Sequence, residues 1–315
     1  MRRGHARLAL LSRHPVPHQT LAVGVDVPRN LGEDAEDPVR IEWIASLADV
    51  LEQLAERWSL QIGEPFQPGG RTAWVAPAVS TRFGTSVIKV AWRHFEADDE
   101  AKGLREWRGW GTVRLLAVEE VNQQTTALLL ERCCPGTPLS AHPETTQDAV
   151  IAGLLRRLWK PPPFTEKFRP LQQMCDRWAD ECEAKIARGR LTTDPGLVRD
   201  GIALFRSLPG TAAGRVLLCT DLHAGNVLAA RREPWLMVDP KPYFGDPTYD
   251  PLQHLLNCEE RLLADPFALV AGVAQLCEVD PERLGRWLFA RCVVESPDRP
   301  ELLEVASRLT PHLDL

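Results

Sequence analysis

From Ile41 onward the apolar residues Ile41, Ile44, Leu47, Ala48, Leu51, Leu54 and Trp58 return at steps of three and four, which predicts one amphipathic helix ending before Gly63. Pro68, Gly69 and Gly70 then interrupt the chain, and the runs Trp74–Val79 and Ser86–Trp92 read as antiparallel strands around a loop at Ser80–Thr85. A helix over Asp98–Trp107 follows, with strands at Val113–Glu120 and Thr125–Arg132. Past Gly136 the pattern is helical: Glu144–Trp159, Leu171–Gly189, Gly196–Leu208, Pro251–Ala264, Pro266–Cys277 and Pro281–Glu295. Pro161, Pro162 and Pro163 form a rigid break between the first two of these. Three short apolar runs, Val216–Leu218, Val227–Ala229 and Trp235–Val238, are bounded by polar or turn-forming residues, as buried strands are. Residues 1–40 mix basic, proline-containing and acidic pieces without a sustained period, so a loosely ordered extension is expected there, its first twenty or so residues dispensable. The division that results is an extension over 1–40, a strand-rich lobe over 41–132 and a mainly helical lobe over 133–315.

Composition agrees with a large folded chain. At 315 residues it lies above the size at which single cores tend to split, and 44% hydrophobic with 25% charged residues argues against disorder as the main state. A net charge of −6 gives no reason to expect nucleic acid as a partner. Residues 221–315 hold 16 acids against 9 Lys or Arg, a balance that would suit a cationic small-molecule acceptor. None of the eight cysteines forms a C-x-x-C pair, so buried free thiols are expected in place of zinc or dithiol chemistry. The only apolar run near the start, Leu8–Leu11, is shorter than a signal-peptide core, and no stretch is long enough to span a membrane. A cytoplasmic location is the expectation.

The chemistry concentrates in Val216–Asp250. There Asp221 and Asn226 share one loop between apolar runs, and Asp239 ends the next strand. Phosphoryl transfer asks for such a set: an Asp that takes the proton of the attacking hydroxyl, an Asn five residues on that holds magnesium, and a second Asp on a neighbouring loop that holds magnesium against nucleotide phosphates. Magnesium takes oxygen donors and keeps several waters, so one amide oxygen, one carboxylate and phosphate oxygens make a site. Lys89 sits among Val87, Ile88 and Val90, and an ammonium in an apolar strand must be aimed at a partner. Glycine is sparse around the first two strands, and neither G-x-G-x-x-G nor a Walker pattern is present. A metal-dependent hydrolase built on Asp221, His223 and Asp239 would need more histidine ligands than this loop supplies.

The segments DLHAGNVLAA, EPWLMVDPKP and GDPTYD, together with VIKV at Lys89 and the later VRLL and ALLLER, resemble the aminoglycoside phosphotransferases, and more narrowly the branch of streptomycin 6-kinases and hydroxyurea kinases. Taken in order these motifs span most of the chain from Trp43 to Leu256. The resemblance implies an α+β, bilobal, protein-kinase-like fold with a small antiparallel-sheet N-lobe and a mainly helical C-lobe. It implies ATP and Mg2+ as cofactors and phosphate transfer to a hydroxyl of an aminoglycoside-like antibiotic. Hydroxyurea or an amino sugar or metabolite is the alternative acceptor, and a non-catalytic nucleotide-binding regulator the alternative role.

In that frame Asp221 is the general base, Asn226 and Asp239 hold the metal, and Lys89 meets the α/β-phosphates with Glu100, or failing that Glu106, as its carboxylate partner. Leu130 and Glu131 belong to the linker strand whose backbone meets adenine, and Lys241 neutralises charge on the transferring phosphoryl group. His223 supports the loop. Asp246 recurs in the same pattern as Lys241. Asp250, Asn257, Glu259 and Glu260 could face the acceptor, although their helical setting predicts exposure, and Trp159, Trp178 and Trp287 read as core. Cys219 and Thr220 depart from the His and Gly that many family members carry, which puts the local support of the loop in question.

Overall fold

The computed structural model describes residues 25–33, 37–95, 97–159, 168–189 and 194–310. The first 24 residues and the proline break at Pro161–Pro163 lie outside the described residues.

The N-terminal part runs α1 (Arg29–Glu33), α2 (Pro38–Ala45), α3 (Leu47–Trp58), β1 (Leu60–Ile62), β2 (Ala73–Ser80), β3 (Gly84–Trp92), α4 (Glu100–Trp107), β4 (Leu115–Glu120) and β5 (Thr125–Glu131). The strands form one antiparallel sheet in the order β1-β2-β3-β5-β4, with Lys89 paired between Val75 and Leu128. The single helix expected from Ile41 is two. Asp37 caps α2 by accepting from the Val39 N–H at 3.0 Å, and Ser46 closes it by donating its hydroxyl to the Trp43 carbonyl at 2.7 Å. That junction takes Ile41 off the apolar stripe, leaving it 50% exposed, while Trp43 is buried in its place. Order also begins ahead of Ile41: Leu31 is fully buried with Trp43, Leu47, Trp74 and Ile88, and the Trp74 indole donates to the Asp26 carbonyl at 2.9 Å.

The C-terminal part contains α5 (Glu144–Leu158), α6 (Leu171–Ala187), α7 (Pro195–Ser207), β6 (Val216–Leu218), β7 (Val227–Ala229), β8 (Trp235–Met237), β9 (Tyr243–Gly245), α8 (Leu252–Asn257), α9 (Glu259–Ala264), α10 (Pro266–Cys277), α11 (Pro281–Glu295) and α12 (Leu302–Leu309). The helix expected over Pro251–Ala264 breaks at Cys258, whose backbone leaves the helical region. Helix α11 is the buried axis: Leu284, Trp287, Leu288, Phe289 and Cys292 are fully enclosed, with the Trp287 ring edge-on to Phe205 and Tyr249. Gly201 lets α7 approach it, since a Cβ there would stand 2.5 Å from the Val293 side chain. The four short strands pair as β6 with β9 and β7 with β8, which brings the β6–β7 and β8–β9 loops side by side.

Two of the contacts that join the parts are ion pairs. Arg232, in the β7–β8 turn, grips both oxygens of Glu131 at the end of β5 at 2.9 Å and donates to the Gly109 and Thr112 carbonyls. Asp99, buried just ahead of α4, accepts from Arg169 at 2.8 Å, and the Arg169 guanidinium lies between the rings of Phe95 and Tyr243. Neither pair is visible in the sequence, because their members stand 101 and 70 residues apart.

Candidate active site

The loop between β6 and β7 turns at Thr220, whose φ of +50° is a costly state for a β-branched residue. Asp250 holds that turn. Its carboxylate, wholly buried, accepts from the backbone N–H groups of Cys219 at 3.0 Å and Thr220 at 2.7 Å, and from the Trp159 indole at 2.8 Å. Burial pushes the Asp250 carboxyl up to about 6, against the pull of these donors. The Thr220 hydroxyl donates to the Lys241 carbonyl at 2.5 Å, and the Lys241 N–H donates to the Cys219 carbonyl at 2.9 Å. The Asp221 loop is therefore stapled to the segment that carries Asp239. Cys219 and Thr220 leave it well supported despite their departure from His and Gly.

On that scaffold the Asp221 Oδ2 meets Lys241 Nζ at 2.8 Å. Asn226 Nδ2 donates to the Asp221 carbonyl at 3.0 Å. His223 Nδ1 accepts from the Gly225 N–H at 3.2 Å, and burial lowers the imidazole pKa despite the nearby Asp221, so His223 serves the turn as a neutral acceptor. Asp239 sits at φ +55°, and its carboxylate accepts from Lys89 Nζ at 2.6 Å while its side chain stays 45% exposed. Lys89 Nζ also donates to Glu100 Oε2 at 2.7 Å, deep between β3 and α4. Burial alone would lower the Lys89 pKa, but Asp239 and Glu100 more than reverse it and the ammonium stays charged. Burial raises Glu100 to about 7 against the attraction of Lys89, and Lys89 with Lys241 holds Asp239 below the usual carboxylate range although burial opposes them.

The donor set suits magnesium. Asn226 commits its amide nitrogen to Asp221, which leaves the amide oxygen for a cation, and Asp239 offers a carboxylate in an open position. The Val238 N–H donates to the Asn226 carbonyl at 2.8 Å and keeps the two residues' loops in register.

The family model described as aminoglycoside/hydroxyurea antibiotic resistance kinase matches residues 57–299. The chain belongs to that family. It is similar to the streptomycin 6-kinase of Streptomyces glaucescens, 34% identical over 70% of this chain and 69% of that one. The hydroxyurea phosphotransferase of Kitasatospora aureofaciens is 36% identical over 80% of this chain and 73% of its own length. Among solved structures, a choline kinase from Streptococcus pneumoniae superposes with a TM-score of 0.59 at 14% identity, over 84% of this chain and 97% of that one. A spectinomycin phosphotransferase solved with ADP and spectinomycin gives 0.53 at 13% identity, over 84% and 91%. These likenesses speak for the fold, which is the protein-kinase-like one.

In this kinase Glu100, not Glu106, reaches Lys89. Leu130 is buried with Leu104, Val113 and Leu236, and the Glu131 carboxylate is taken by Arg232 and the Arg114 N–H, so both residues face the interlobe packing with their side chains. Asp246 is buried scaffolding that binds Arg283 Nε at 2.6 Å and the Trp287 indole at 2.7 Å. Asp250 is neither exposed nor in the cleft but behind the Asp221 loop, a role that its place four residues after Asp246 did not reveal. Asn257, Glu259 and Glu260 are exposed, as their helical setting predicts, and Trp287 is core. Trp159 and Trp178 are half-buried against the same core, and Trp178 also lines a cavity beside Asp221.

A second cluster, Asp148, His254 and Cys258, brings its ligand atoms within 4.8 Å of one another. Arg261 already occupies its centre, bonded to Asp148 at 2.8 and 2.9 Å and to Cys258 at 3.0 Å, so the group is a structural ion-pair knot. Burial alone would lower the His254 pKa, but the 2.6 Å bond to Asp148 more than reverses it and raises His254 to about 9. A raised histidine pKa contributes stability that is complete below about 6.5 and lost as pH climbs through about 9. Thermal melts are therefore expected to fall between pH 7 and pH 10, and His254→Gln to flatten that decline. A variant curve parallel to wild type would contradict the assignment.

Proposed function

We propose that this protein moves the γ-phosphate of ATP to a hydroxyl of an antibiotic-type small molecule, with an aminoglycoside-like compound or hydroxyurea as the acceptor. The observation that carries the reading is that Lys241, paired with Asp221, also lies near Asp239, which is bonded to Lys89 and through it to Glu100. The named acceptors of the two relatives, streptomycin and hydroxyurea, set the substrate class.

Asp221 orients the acceptor hydroxyl and takes its proton as the oxygen–phosphorus bond forms and the bond from the γ-phosphorus to the β–γ bridging oxygen breaks, leaving ADP. Lys241, already beside Asp221, lies where charge develops on the transferring group. Lys89 holds the α/β-phosphates, positioned by Glu100, while backbone groups near Leu130 and Glu131 meet the adenine. Asn226 and Asp239 would hold Mg2+, which would supply charge neutralisation at the phosphates. Every chemical position carries a competent residue, which favours an enzyme over a nucleotide-binding regulator.

The test is transfer from γ-labelled ATP, with magnesium, to streptomycin, hydroxyurea and amino sugars. Labelled product together with ADP is expected for at least one acceptor. Background transfer for all of them, equal in wild type and Asp221→Asn, would end the proposal.

A further inference from the structure

A cavity of about 170 Å³ opens beside Asp221, walled by Trp178, Lys241, Tyr243, Gln253 and Arg291. Its far wall is built to be rigid. Arg291 is 4% exposed, and its guanidinium lies 4.1 Å over the Trp178 ring. That guanidinium donates to Glu295 at 2.5 Å, to the Tyr249 hydroxyl and to Gln253 Oε1 at 3.3 Å. With its Oε1 turned to Arg291, Gln253 has Nε2 as the donor for a ligand carbonyl.

Charge and size point the same way. Among the lining residues there is one carboxylate, Asp221, already engaged by Lys241, against two cations. Of the other acids in the C-terminal third, Asp246 and Asp250 are buried in scaffolding, Glu295 is taken by Arg291, and Glu259 and Glu260 are exposed on α9. A polycation seeks several carboxylates, and among the described residues that line the cavity Asp221 is the one carboxylate. The volume is also below the roughly 300–1,000 Å³ of a site for drug-sized ligands.

Building on the phosphotransferase reading, we infer that this cavity is the acceptor site and selects a compact, uncharged hydroxyl or N-hydroxy compound bearing a carbonyl over a guanidinium-bearing aminoglycoside. Trp178, Gln253 and Arg291 are the specificity-determining residues. The hydroxyl lies against Asp221, the carbonyl accepts from Gln253 Nε2, and the indole face closes the far end.

Steady-state kinetics of the full chain with hydroxyurea and with streptomycin, at fixed magnesium and ATP, test this. Wild type is expected to use hydroxyurea with kcat/KM at least roughly tenfold above streptomycin. Gln253→Leu should raise the hydroxyurea KM about tenfold with the ATP KM unchanged, as loss of one acceptor hydrogen bond predicts. Trp178→Phe, which shortens the wall while keeping an aromatic face, should narrow the preference, and melting curves confirm that both variants fold. A wild-type preference for streptomycin, or an acceptor KM indifferent to Gln253→Leu, overturns the inference and leaves phosphotransfer standing. Failure to phosphorylate either compound while ATP still binds also overturns it, whereas absence of ATP binding overturns the reading beneath it.

Discussion

Asp221→Asn is expected to reduce kcat for transfer by roughly 10²- to 10⁴-fold, the range associated with loss of a positioned general base. The amide matches the carboxylate in shape and keeps an oxygen towards Lys241, yet it cannot take the hydroxyl proton. Because the side chain is only 15% exposed but contacts loop residues alone, the melting temperature should move little. The loss should appear equally in kcat and in kcat/KM for the acceptor, with the ATP KM near wild type, since the missing interaction belongs to the transition state. Initial-rate assays over both substrates decide it. A variant that retains kcat and loses only ATP affinity would move Asp221 out of the base role.

Lys89→Met should damage both nucleotide use and stability. Removal of a preorganised charge-stabilising donor of this kind lowers kcat/KM for ATP by roughly 10²- to 10³-fold. It also strands two carboxylates, and Glu100 is 4% exposed with its second oxygen meeting no donor among the described residues. Breaking a buried pair in this way costs about 3–5 kcal/mol. The pH dependence has a definite sign. Burial raises Glu100 from 4.5 to about 7, so the folded state keeps a proton that the unfolded chain has lost, and stability declines as pH rises across that window. Without the pull of Lys89 the decline extends to higher pH. The gap in melting temperature between variant and wild type should therefore widen from pH 5 to pH 8, and adding Glu100→Gln should close much of it at pH 8 without restoring turnover. Equal melting temperatures at both pH values would show that Glu100 is not held as described.

Much of the fold was readable because hydrophobic period is a local property. Helices α10 and α11 occur as the spacing predicts, each beginning at a proline behind an Asp that accepts from the first-turn N–H groups. The same rule overreached at Ile41–Trp58 and Pro251–Ala264, where the apolar pattern runs on but Ser46 interrupts the helix by bonding back to Trp43 and Cys258 leaves the helical region. It also passed over α12, although Leu302, Val305, Ala306 and Leu309 recur at helical steps and are buried. The three-residue strands β1 and β9 carry too few positions for a period, and they exist because partners at Ser80 and Val216 complete their ladders.

By itself the sequence carried the residues of the proposed site: an acid and an amide five residues apart, a second acid one strand later, and a lysine in an apolar strand. Those are local facts, since residue type and spacing within a loop survive without the rest of the chain. Only the tertiary structure decided that Asp239 joins Glu100 on Lys89, that Asp250 holds the Asp221 loop from behind, and that Trp178 and Arg291 wall a cavity beside Asp221. The members of each of these contacts stand 30 or more residues apart, and they meet because packing of the lobes and of α6 against α11 buries apolar surface, which no short window of residues encodes.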